Sequence, residues 1–301
     1  MTDKTMTLDQ AVRMHVQDGA LIYASGFTHL IPFAAGHEII RQGIRNLSLA
    51  RATPDLIYEQ MVAAGCARKV IFSYMGNPGV GSLRKMRAAI ESGDLDWEEY
   101  SHFSMISRLQ AGASGLPFMP MKQTGATDLA QQNPNYQQVI DPYTGEAVVV
   151  VPPLKPDVAI VHVQRADIEG NAHVWGILGE QRLAAFAAER VILTAEEIVD
   201  EAVIRSDPNR TLIPGLVVDA VCHVPFCAHP SYTQGYHDRD NEFYLAWDKI
   251  SENEGTLKAY LDEWVFGVAD RTAYWEKLGP EVHQRLQAGA RLSEPVNYGY
   301  Y

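Results

Sequence analysis

Two runs of consecutive apolar, mostly β-branched residues constrain the fold of this chain more than any other feature. They cover residues 148–151 and 158–163, and apolar and polar residues do not alternate in either run. A strand has this pattern when both of its faces are covered, as in the parallel sheet of an α/β protein. Prolines at 152, 153 and 156 separate the runs, since proline cannot donate to a central ladder. We therefore predict two buried strands of such a sheet.

The second run changes abruptly into a polar stretch that includes Gln164, Arg165 and Asp167. Open α/β sheets bind their ligands at the carboxyl ends of the strands, so a functional site is expected near this exit. A hydrophilic turn that reverses the chain before residues 173–175 would have the same composition, and the spacing alone favours the turn. The pattern therefore predicts the sheet but not the reaction.

Strand and helix patterns alternate along the N-terminal third of the chain, as in a parallel sheet with right-handed crossovers. We predict strands at 20–24, 47–50 and 69–74 and helices at 8–16, 33–42, 54–64 and 83–91. Later elements are helices at 105–113, 181–188, 196–205 and 244–266, and strands at 117–122, 191–194 and 217–224. Residues 124–142 are polar and are expected to form a long surface excursion.

The fold class that follows is α/β, with an open, mostly parallel sheet and helices on both of its faces. We expect a single domain over residues 1–301, in which the part from about 240 to 301 is a helical extension and tail. No internal repeat or low-complexity tract divides the chain.

Charge and cysteine content exclude several classes of function. A formal net charge of −12 argues against nucleic acid and anionic membranes as partners. Three scattered cysteines, Cys66, Cys222 and Cys227, are too few for a disulfide framework and fit a reducing compartment. The chain opens with no signal segment and contains no apolar run long enough to cross a bilayer. We expect a cytoplasmic location.

Two glycine-containing loops follow predicted strands. Gly26, Phe27 and Thr28 offer backbone N–H groups that suit an oxyanion hole, or simply form a strand-to-helix turn. Residues 76–82, followed by the basic residues of the next helix, suit an anion cradle or an ordinary turn beside a solvated basic face. Neither loop has the glycine spacing of a phosphate-binding loop or a dinucleotide fingerprint.

One cluster contains residue types that can bind metals, namely Cys222, His223, Cys227, His229 and His237. Its spacing matches no structural zinc pattern, and two of its members point to opposite faces of a predicted strand. We therefore predict no metal site. No nucleophile-elbow sequence is present, and no single carboxylate stands out as a catalytic group.

Several separate runs of the sequence occur in an order that is specific for one family. They are residues 26–28, 38–44, 77 with 79–80, 115–118, 157–162, 174–176, 213–215, 218–221, 228–231 and 263–266. In these runs, from residue 7 to about 279, the chain resembles the α subunit of a class I coenzyme A transferase, closest to the glutaconate CoA-transferase type. The resemblance implies a sheet of the kind shared with sugar-phosphate isomerases.

The resemblance also implies the reaction. CoA would move between an acyl-CoA and a carboxylic acid in a ping-pong cycle, with coenzyme A as a substrate and no cofactor. A glutamate attacks the acyl-CoA, which gives a mixed anhydride and then an enzyme-bound CoA thioester. This nucleophile needs no depressed pKa, because a carboxylate is ionised at neutral pH.

The partner implied by the resemblance is a homologous β subunit, in an αβ or α2β2 assembly. In the family, the nucleophile lies on that subunit within a Ser-Glu-Asn-Gly run. Residues 251–255 of this chain are similar but are interrupted by Glu254, and they precede a C-terminal helix. We therefore expect no catalytic nucleophile in this chain, which would supply half of an active site at a subunit interface.

The resemblance assigns substrate-binding residues one by one. Gly26, Phe27 and Thr28 fall on the first glycine loop, which faces the reacting acyl group. Gly76, Asn77 and Gly79 fall on the second loop, which borders the acyl substrate. His229 lies in an Ala-His-Pro run, where it either contacts substrate or fixes the loop by packing.

Two departures from the glutaconate type bear on the substrate. Pro78 replaces a serine of the second loop, and His29, Leu30 and Ile31 replace charged residues after the first. We therefore predict an acyl group that is more apolar than glutaconate and lacks a distal carboxylate, since an unpaired buried anion is costly.

Two other interpretations of the function stay open. Some relatives of this subunit pair resemble ring-opening hydrolases of cyclic diketone CoA thioesters, with a base from the α-type chain. The corresponding stretch here is 100–103, where His102 would be the base or a polar interface residue. The second interpretation is a sugar-phosphate isomerase or sensor of the same sheet class.

Overall fold

The computed structural model of the protein describes residues 2–76, 81–121 and 127–289. The strands are β1 (Leu21–Ala24), β2 (Leu47–Ala50), β3 (Ala67–Phe72), β4 (Asp96–Glu99), β5 (Met119–Met121), β6 (Gln137–Ile140), β7 (Ala147–Val151), β8 (Val158–Ala166), β9 (Ala172–His173), β10 (Arg190–Ile198), β11 (Thr211–Ile213) and β12 (Ala220–His223). The helices are α1 (Leu8–His15), α2 (Phe33–Arg41), α3 (Leu56–Ala63), α4 (Arg84–Ser92), α5 (His102–Ala113), α6 (Asp128–Gln132), α7 (Gln181–Ala187), α8 (Glu201–Ser206), α9 (Asn241–Ile250), α10 (Glu254–Leu261), α11 (Arg271–Leu278) and α12 (Pro280–Arg285).

The main sheet is mostly parallel, as predicted. Its parallel strands lie in the order β12-β10-β8-β1-β2-β3-β4, and the short antiparallel strands β9 and β11 extend it beside the end of β8. Ile160 of β8 pairs with Ala24 on one side and with Ile192 on the other, so β8 is a central strand. Helices therefore cover both faces of a sheet whose middle is fully buried.

The two hydrophobic cores lie on opposite faces of this sheet. Along β8 the side chain of Ile160 packs into one core, and those of Ala159 and Val161 pack into the other. Such alternation of direction is the rule for a strand, and here both directions meet apolar helix faces. Helices α1, α2, α3, α9 and α10 contribute to the first core, and α5 and α7 contribute to the second.

The apolar run at 148–151 is a strand, but the prediction that it belongs to the parallel sheet is wrong. It forms β7, the middle strand of a separate antiparallel sheet with the order β5-β7-β6. Val149 and Val151 are buried in the same core as α5. Burial under a helix removes polar alternation in an antiparallel strand as well, so the sequence pattern does not distinguish the two cases.

Other boundaries also differ from the prediction. The segment 196–205 is not one helix, because β10 continues to Ile198 in register with Ala166 of β8, and only α8 follows. Parallel pairing against the central strand outweighs the helical pattern of this segment. The acidic segment before α5 contains the edge strand β4, and the polar excursion contains α6 and β6. The C-terminal region is helical as expected, but up to residue 289 it contains four α-helices, α9–α12, and a π-helical turn (Asp262–Phe266) rather than one long helix.

The C-terminal helices are anchored to the α/β core by buried polar contacts. The Trp247 indole donates to Glu59 Oε2 at 2.5 Å, and the Tyr244 hydroxyl donates to Asp55 Oδ1 at 3.0 Å. Burial raises the pKa of Glu59. Across the described ranges, no helix is both long and apolar enough to span a membrane.

Candidate active site

The first glycine loop, residues 26–30, leaves the carboxyl end of β1 in a conformation that requires glycine at its start. Gly26 has φ +110°, and a Cβ there would lie 2.6 Å from the carbonyl oxygen of His29. Thr28 and Leu30 also have positive φ values, +56° and +57°. A β-branched residue in this region is a genuine outlier, and its strain persists only where surrounding contacts fix the backbone.

Side chains hold the carbonyl groups of this loop. Arg51 follows β2, and its Nη2 donates to Gly26 O at 2.6 Å. Ser231 Oγ donates to Thr28 O at 2.8 Å. Within the described part of the chain, the backbone N–H groups of Gly26, Phe27 and Thr28 have no hydrogen-bond acceptor. Unpaired donors at a strand's carboxyl end can bind an oxygen atom that becomes negatively charged during a reaction.

His29 fixes the next part of the loop as a neutral imidazole. Its Nε2 accepts from the backbone N–H of Gln234 at 3.0 Å, so the proton lies on Nδ1, which donates to Ile177 O at 3.2 Å. Burial lowers the pKa of His29 to about 3, although the Ile177 carbonyl opposes this shift. The ring stacks on Tyr232 with centroids 4.5 Å apart.

The side chains of His29, Leu30 and Ile31, on which the prediction of an apolar acyl pocket partly depends, are all 0% exposed. Leu30 and Ile31 pack into the two hydrophobic cores, one on each face of the sheet, and therefore cannot line a substrate space. Phe27, in contrast, is 38% exposed beside them. The structure thus removes this part of the support for an apolar pocket.

His229 is a buried packing residue. Its Nε2 lies 3.1 Å from Asp240 Oδ2 and its Nδ1 lies 3.0 Å from the Tyr274 hydroxyl. Phe243 and Trp275 surround the ring at centroid distances of 6.0 and 5.8 Å. Burial lowers the pKa of His229 to about 4, although the hydrogen bond to Asp240 opposes this. This placement supports the loop-fixing alternative rather than substrate contact.

His102 begins α5 and bridges the carboxyl ends of two other strands. Its Nδ1 lies 2.8 Å from Ser73 Oγ and its Nε2 lies 2.8 Å from Thr53 Oγ1. Because the Ser73 hydroxyl donates to Ala52 O, His102 must donate to Ser73 and accept from Thr53. Partial desolvation lowers the pKa of His102 although much of its surface is exposed, so the neutral ring predominates at pH 7. It can act as a base only if the Thr53 hydroxyl releases Nε2.

The second glycine loop is described only at its edges. Gly76 is buried after β3, whereas Asn77, Pro78 and Gly79 lie outside the described residues, so the predictions for them stay predictions. The basic residues after the loop already have partners. Arg84 pairs with Asp248 at 2.7 Å, Lys85 pairs with Glu254 at 2.7 Å, and Arg87 donates to Met75 O at 2.9 Å. These contacts favour the ordinary turn over the anion cradle.

The run that resembles the family's nucleophile lies at the start of a helix. The Asn253 side chain accepts from the backbone N–H of Thr256 and caps α10, and the neighbouring Glu252 is exposed. Such a capping role explains the run without catalysis. Over the described residues, no group of three or more histidine, cysteine or acidic side chains is arranged to hold a metal ion.

Sequence reasoning missed a buried polar cluster beside the first loop. Glu196 of β10 and His162 of β8 lie 3.0 Å apart, Oε1 to Nε2, and Thr233 donates to the same carboxylate at 2.9 Å. The only signal in the sequence was the presence of polar residues within apolar strand patterns, and it gave no hint of the pairing.

A protein-family model described as Coenzyme A transferase matches residues 5–223 of this chain. The chain belongs to this family. It is 48% identical to a 3-oxoadipate CoA-transferase subunit of Pseudomonas knackmussii, over 91% of this chain and 97% of that protein. The crystal structure of glutaconate coenzyme A-transferase from Acidaminococcus fermentans superposes with a TM-score of 0.90 and 34% identity, over 95% of this chain and 96% of that one.

A more distant relative is the cholesterol ring-cleaving hydrolase IpdA subunit of Mycobacterium tuberculosis, with 29% identity over 89% of this chain and 94% of the relative. The relatives of higher identity confirm the resemblance stated above and the fold class. The chain is an α-type subunit of a CoA-transferase, and the hydrolase interpretation has weaker support.

Proposed function

We propose that this α subunit works with a homologous β subunit to move CoA between an acyl-CoA and a 3-oxo dicarboxylic acid of the 3-oxoadipate type. The observation that carries the substrate class is the 48% identity to a 3-oxoadipate CoA-transferase subunit, which extends over 97% of that protein. The burial of His29, Leu30 and Ile31 removes the loop side chains on which the apolar alternative depended. Coenzyme A enters as a substrate, with no cofactor, and the cytoplasm is the proposed location.

The proposed reaction divides the work between the subunits. On the β subunit, a glutamate carboxylate attacks the thioester carbonyl carbon, and the CoA thiolate leaves as a mixed anhydride forms. The thiolate then attacks the glutamyl carbonyl, which releases the first acid and leaves a glutamyl-CoA thioester. The second acid reverses both steps. Each step needs only the substrates and the glutamate.

This chain would stabilise the negative oxygen that forms in each addition step. The unpaired N–H groups of Gly26, Phe27 and Thr28 are donors of the right kind, since backbone amides need no deprotonation and lose little on reorganisation. A single oxyanion donor in other enzymes is worth about 10²–10³ in kcat.

The substrate class is tested with the purified αβ complex and one acyl-CoA donor. Acceptors are 3-oxoadipate, glutaconate, and 3-oxohexanoate, which has the same carbon chain without the distal carboxylate. We expect kcat/KM for 3-oxoadipate to exceed that for 3-oxohexanoate by about tenfold or more, about 1.4 kcal/mol of discrimination. A preference for 3-oxohexanoate, the monocarboxylic acid, would overturn the substrate assignment and restore the apolar one.

Hydrolysis is the second candidate, because one relative belongs to a ring-cleaving hydrolase and His102 lies at the carboxyl edge of the sheet. The same complex is incubated with acyl-CoA and no acceptor acid. We expect release of the first acid to stop after one equivalent per active site, with the CoA retained as the glutamyl-CoA thioester and no free CoA accumulating. Continuous ring opening of a cyclic diketone acyl-CoA under the same conditions, lost in His102→Ala, would favour the hydrolase.

A further inference from the structure

The first glycine loop cannot hold its shape alone. Three of its five residues, Gly26, Thr28 and Leu30, have positive φ, and two of these are not glycine. Each non-glycine residue in this region costs free energy, and such a backbone persists only where neighbouring structure over-determines it. The contacts that fix the loop therefore matter for any function that depends on the direction of its N–H groups.

Those contacts come largely from one segment, residues 226–237, which we call the clamp loop. Ser231 Oγ donates to Thr28 O at 2.8 Å, and the Leu30 N–H donates to Tyr232 O at 3.0 Å. The Gln234 N–H donates to His29 Nε2 at 3.0 Å. The clamp loop thus contacts three consecutive residues of the glycine loop, at the positions where its backbone turns.

The clamp loop is itself held at two points by one side chain, Glu196 at the end of β10. The backbone N–H of Phe226, its first residue, donates to Glu196 Oε2 at 2.7 Å. The hydroxyl of Thr233, near its other end, donates to Glu196 Oε1 at 2.9 Å. Glu196 is 4% exposed and Thr233 is 0% exposed, so water does not compete for these bonds.

His162 of β8 keeps this carboxylate charged and in place. Its Nε2 lies 3.0 Å from Glu196 Oε1, and its Nδ1 lies 3.1 Å from the carbonyl oxygen of Thr194. Nδ1 also lies 3.0 Å from the Thr194 hydroxyl. Although burial opposes this shift, the neighbouring Cys227 sulfur and Glu196 carboxylate raise the pKa of His162 to about 10, so His162 is an imidazolium. Strand register supports the pair, since His162 lies opposite Thr194, two residues before Glu196 on β10.

We propose that Glu196 is a positioning residue for CoA transfer. Through its bonds to both ends of the clamp loop, it fixes the glycine loop with the N–H groups of Gly26, Phe27 and Thr28 available to the reacting oxygen. It does not touch the substrate. The inference rests on the proposed role of the glycine loop but is independent of which acid is transferred.

The matched pair Thr233→Val and Thr233→Ser tests this in the αβ complex. Valine removes the donor to Glu196 with little change in volume, and serine keeps it. We expect Thr233→Val to lower kcat about tenfold with KM for acyl-CoA within about twofold of wild type, and Thr233→Ser to retain most of the rate. Ser231→Ala, which removes the bond to Thr28, should also lower kcat. Ser48→Ala, at a buried serine of β2, is the matched control and should not.

Hydrogen exchange of the Leu30 amide gives a readout that needs no turnover. This amide bonds the clamp loop directly, so it should exchange faster in Thr233→Val and at the wild-type rate in Thr233→Ser. A purely structural role would lower the Tm of Thr233→Val without changing kcat below that Tm, and that result would overturn the proposal. Unchanged Leu30 exchange in Thr233→Val would also overturn it.

Failure of the substrate assignment would instead appear in the wild-type complex as a different preferred acid. In that case kcat of the variants is measured with that acid.

Discussion

The two halves of the sheet's carboxyl edge differ in how their polar groups are held. His29 lies beyond β1, His162 within β8 and Glu196 within β10, and their side chains are at most 4% exposed. Their polar atoms are paired with one another, with backbone or with neighbouring hydroxyl groups. Beyond β2, β3 and β4, His102 is exposed, and among the described residues its ring bonds only the hydroxyls of Thr53 and Ser73. The first half is buried and carries strained backbone, whereas the second is exposed.

This difference suggests a division of roles. A loop whose N–H groups are preorganised to bind a developing negative charge must not relax when that charge forms. The side chains that hold such a loop should therefore be buried and hydrogen-bonded. A region that admits an acyl chain and a partner subunit needs accessible surface, and neutral hydroxyls and an unprotonated imidazole cost little to desolvate compared with charged groups. The two halves should therefore respond differently to substitution and to pH.

The largest expected effect is on stability, in Glu196→Ala. Removing one partner of a buried ion pair leaves the His162 charge uncompensated, which typically costs about 3–5 kcal/mol in the free energy of unfolding. Glu197→Ala is the matched control, because its salt bridge to Arg165 at 2.8 Å is partly exposed and should contribute about 0–1 kcal/mol. Urea denaturation measures both variants. Equal losses at the two positions would mean that the buried half is not specially constrained.

The next effect is on rate, in Gly26→Ala. A Cβ at this position would lie 2.6 Å from His29 O with φ at +110°, so the loop must change shape and its donors must turn. We expect kcat of the αβ complex to fall about 10²-fold, as for the loss of an oxyanion donor. Gly43→Ala, also at positive φ but with open space around its Cβ, should cost stability without comparable loss of kcat. If both variants keep full kcat, the loop does not serve the reaction.

A third effect depends on pH and comes from histidines that are buried and neutral. Burial lowers the pKa of His29 to about 3 and of His229 to about 4, below the ordinary value of 6.5. As the pH falls, these histidines therefore bind protons at a higher pH in the unfolded chain than in the folded protein. Each histidine's contribution to the free energy of unfolding is fully present above pH 6.5. It is lost as the pH falls toward the folded pKa, at about 1.4 kcal/mol per pH unit. Urea midpoints between pH 7 and 4.5 measure the loss.

The control for this pH effect is His229→Phe. This variant should lose less stability between pH 7 and 4.5 than the wild type, by the contribution of one histidine. His102→Phe, in the exposed half, should lose nearly as much stability as the wild type. Stability that is constant from pH 7 to 4.5 would contradict the buried neutral state of these rings.

The smallest expected effect is on transfer activity in His102→Asn. Both ring nitrogens are occupied by hydroxyl groups, so the side chain positions Thr53 and Ser73 rather than moving protons. We expect kcat for transfer within about fivefold of wild type and an unchanged pH profile. A loss of about 10²-fold or more, with a shifted acidic limb, would make His102 a general base.

The parts of the fold that could be predicted from the sequence are those in which burial leaves a clear pattern. β8 was predicted because a parallel strand covered on both faces needs apolar residues throughout. The same pattern misplaced β7, since burial in an antiparallel sheet under α5 selects the same residues. The segment 196–205 was misassigned because its helical pattern is local, whereas the pairing of β10 with β8 depends on residues more than thirty positions away.

The site was predictable only in part for the same reason. Gly26 is predictable because it lies two residues after the end of a strand, and a turn at that point is a local feature. The pairing of Glu196 with His162 and Thr233 depends on strand register and on a loop that returns to the edge of the sheet. The direction of Leu30 and Ile31 toward the cores also follows from the loop's positive φ values, which the sequence does not show at non-glycine positions.

In the proposed division of labour, this chain contributes the clamped donor loop and the partner contributes the nucleophile. The most direct measurement is reduction of the αβ complex with tritiated borohydride after addition of acyl-CoA, followed by separation of the two chains. We predict tritium in a glutamate-derived residue of the β subunit, none in this chain, and none in either chain without acyl-CoA. Tritium in this chain, at Glu252 or at any other carboxylate, would contradict the division.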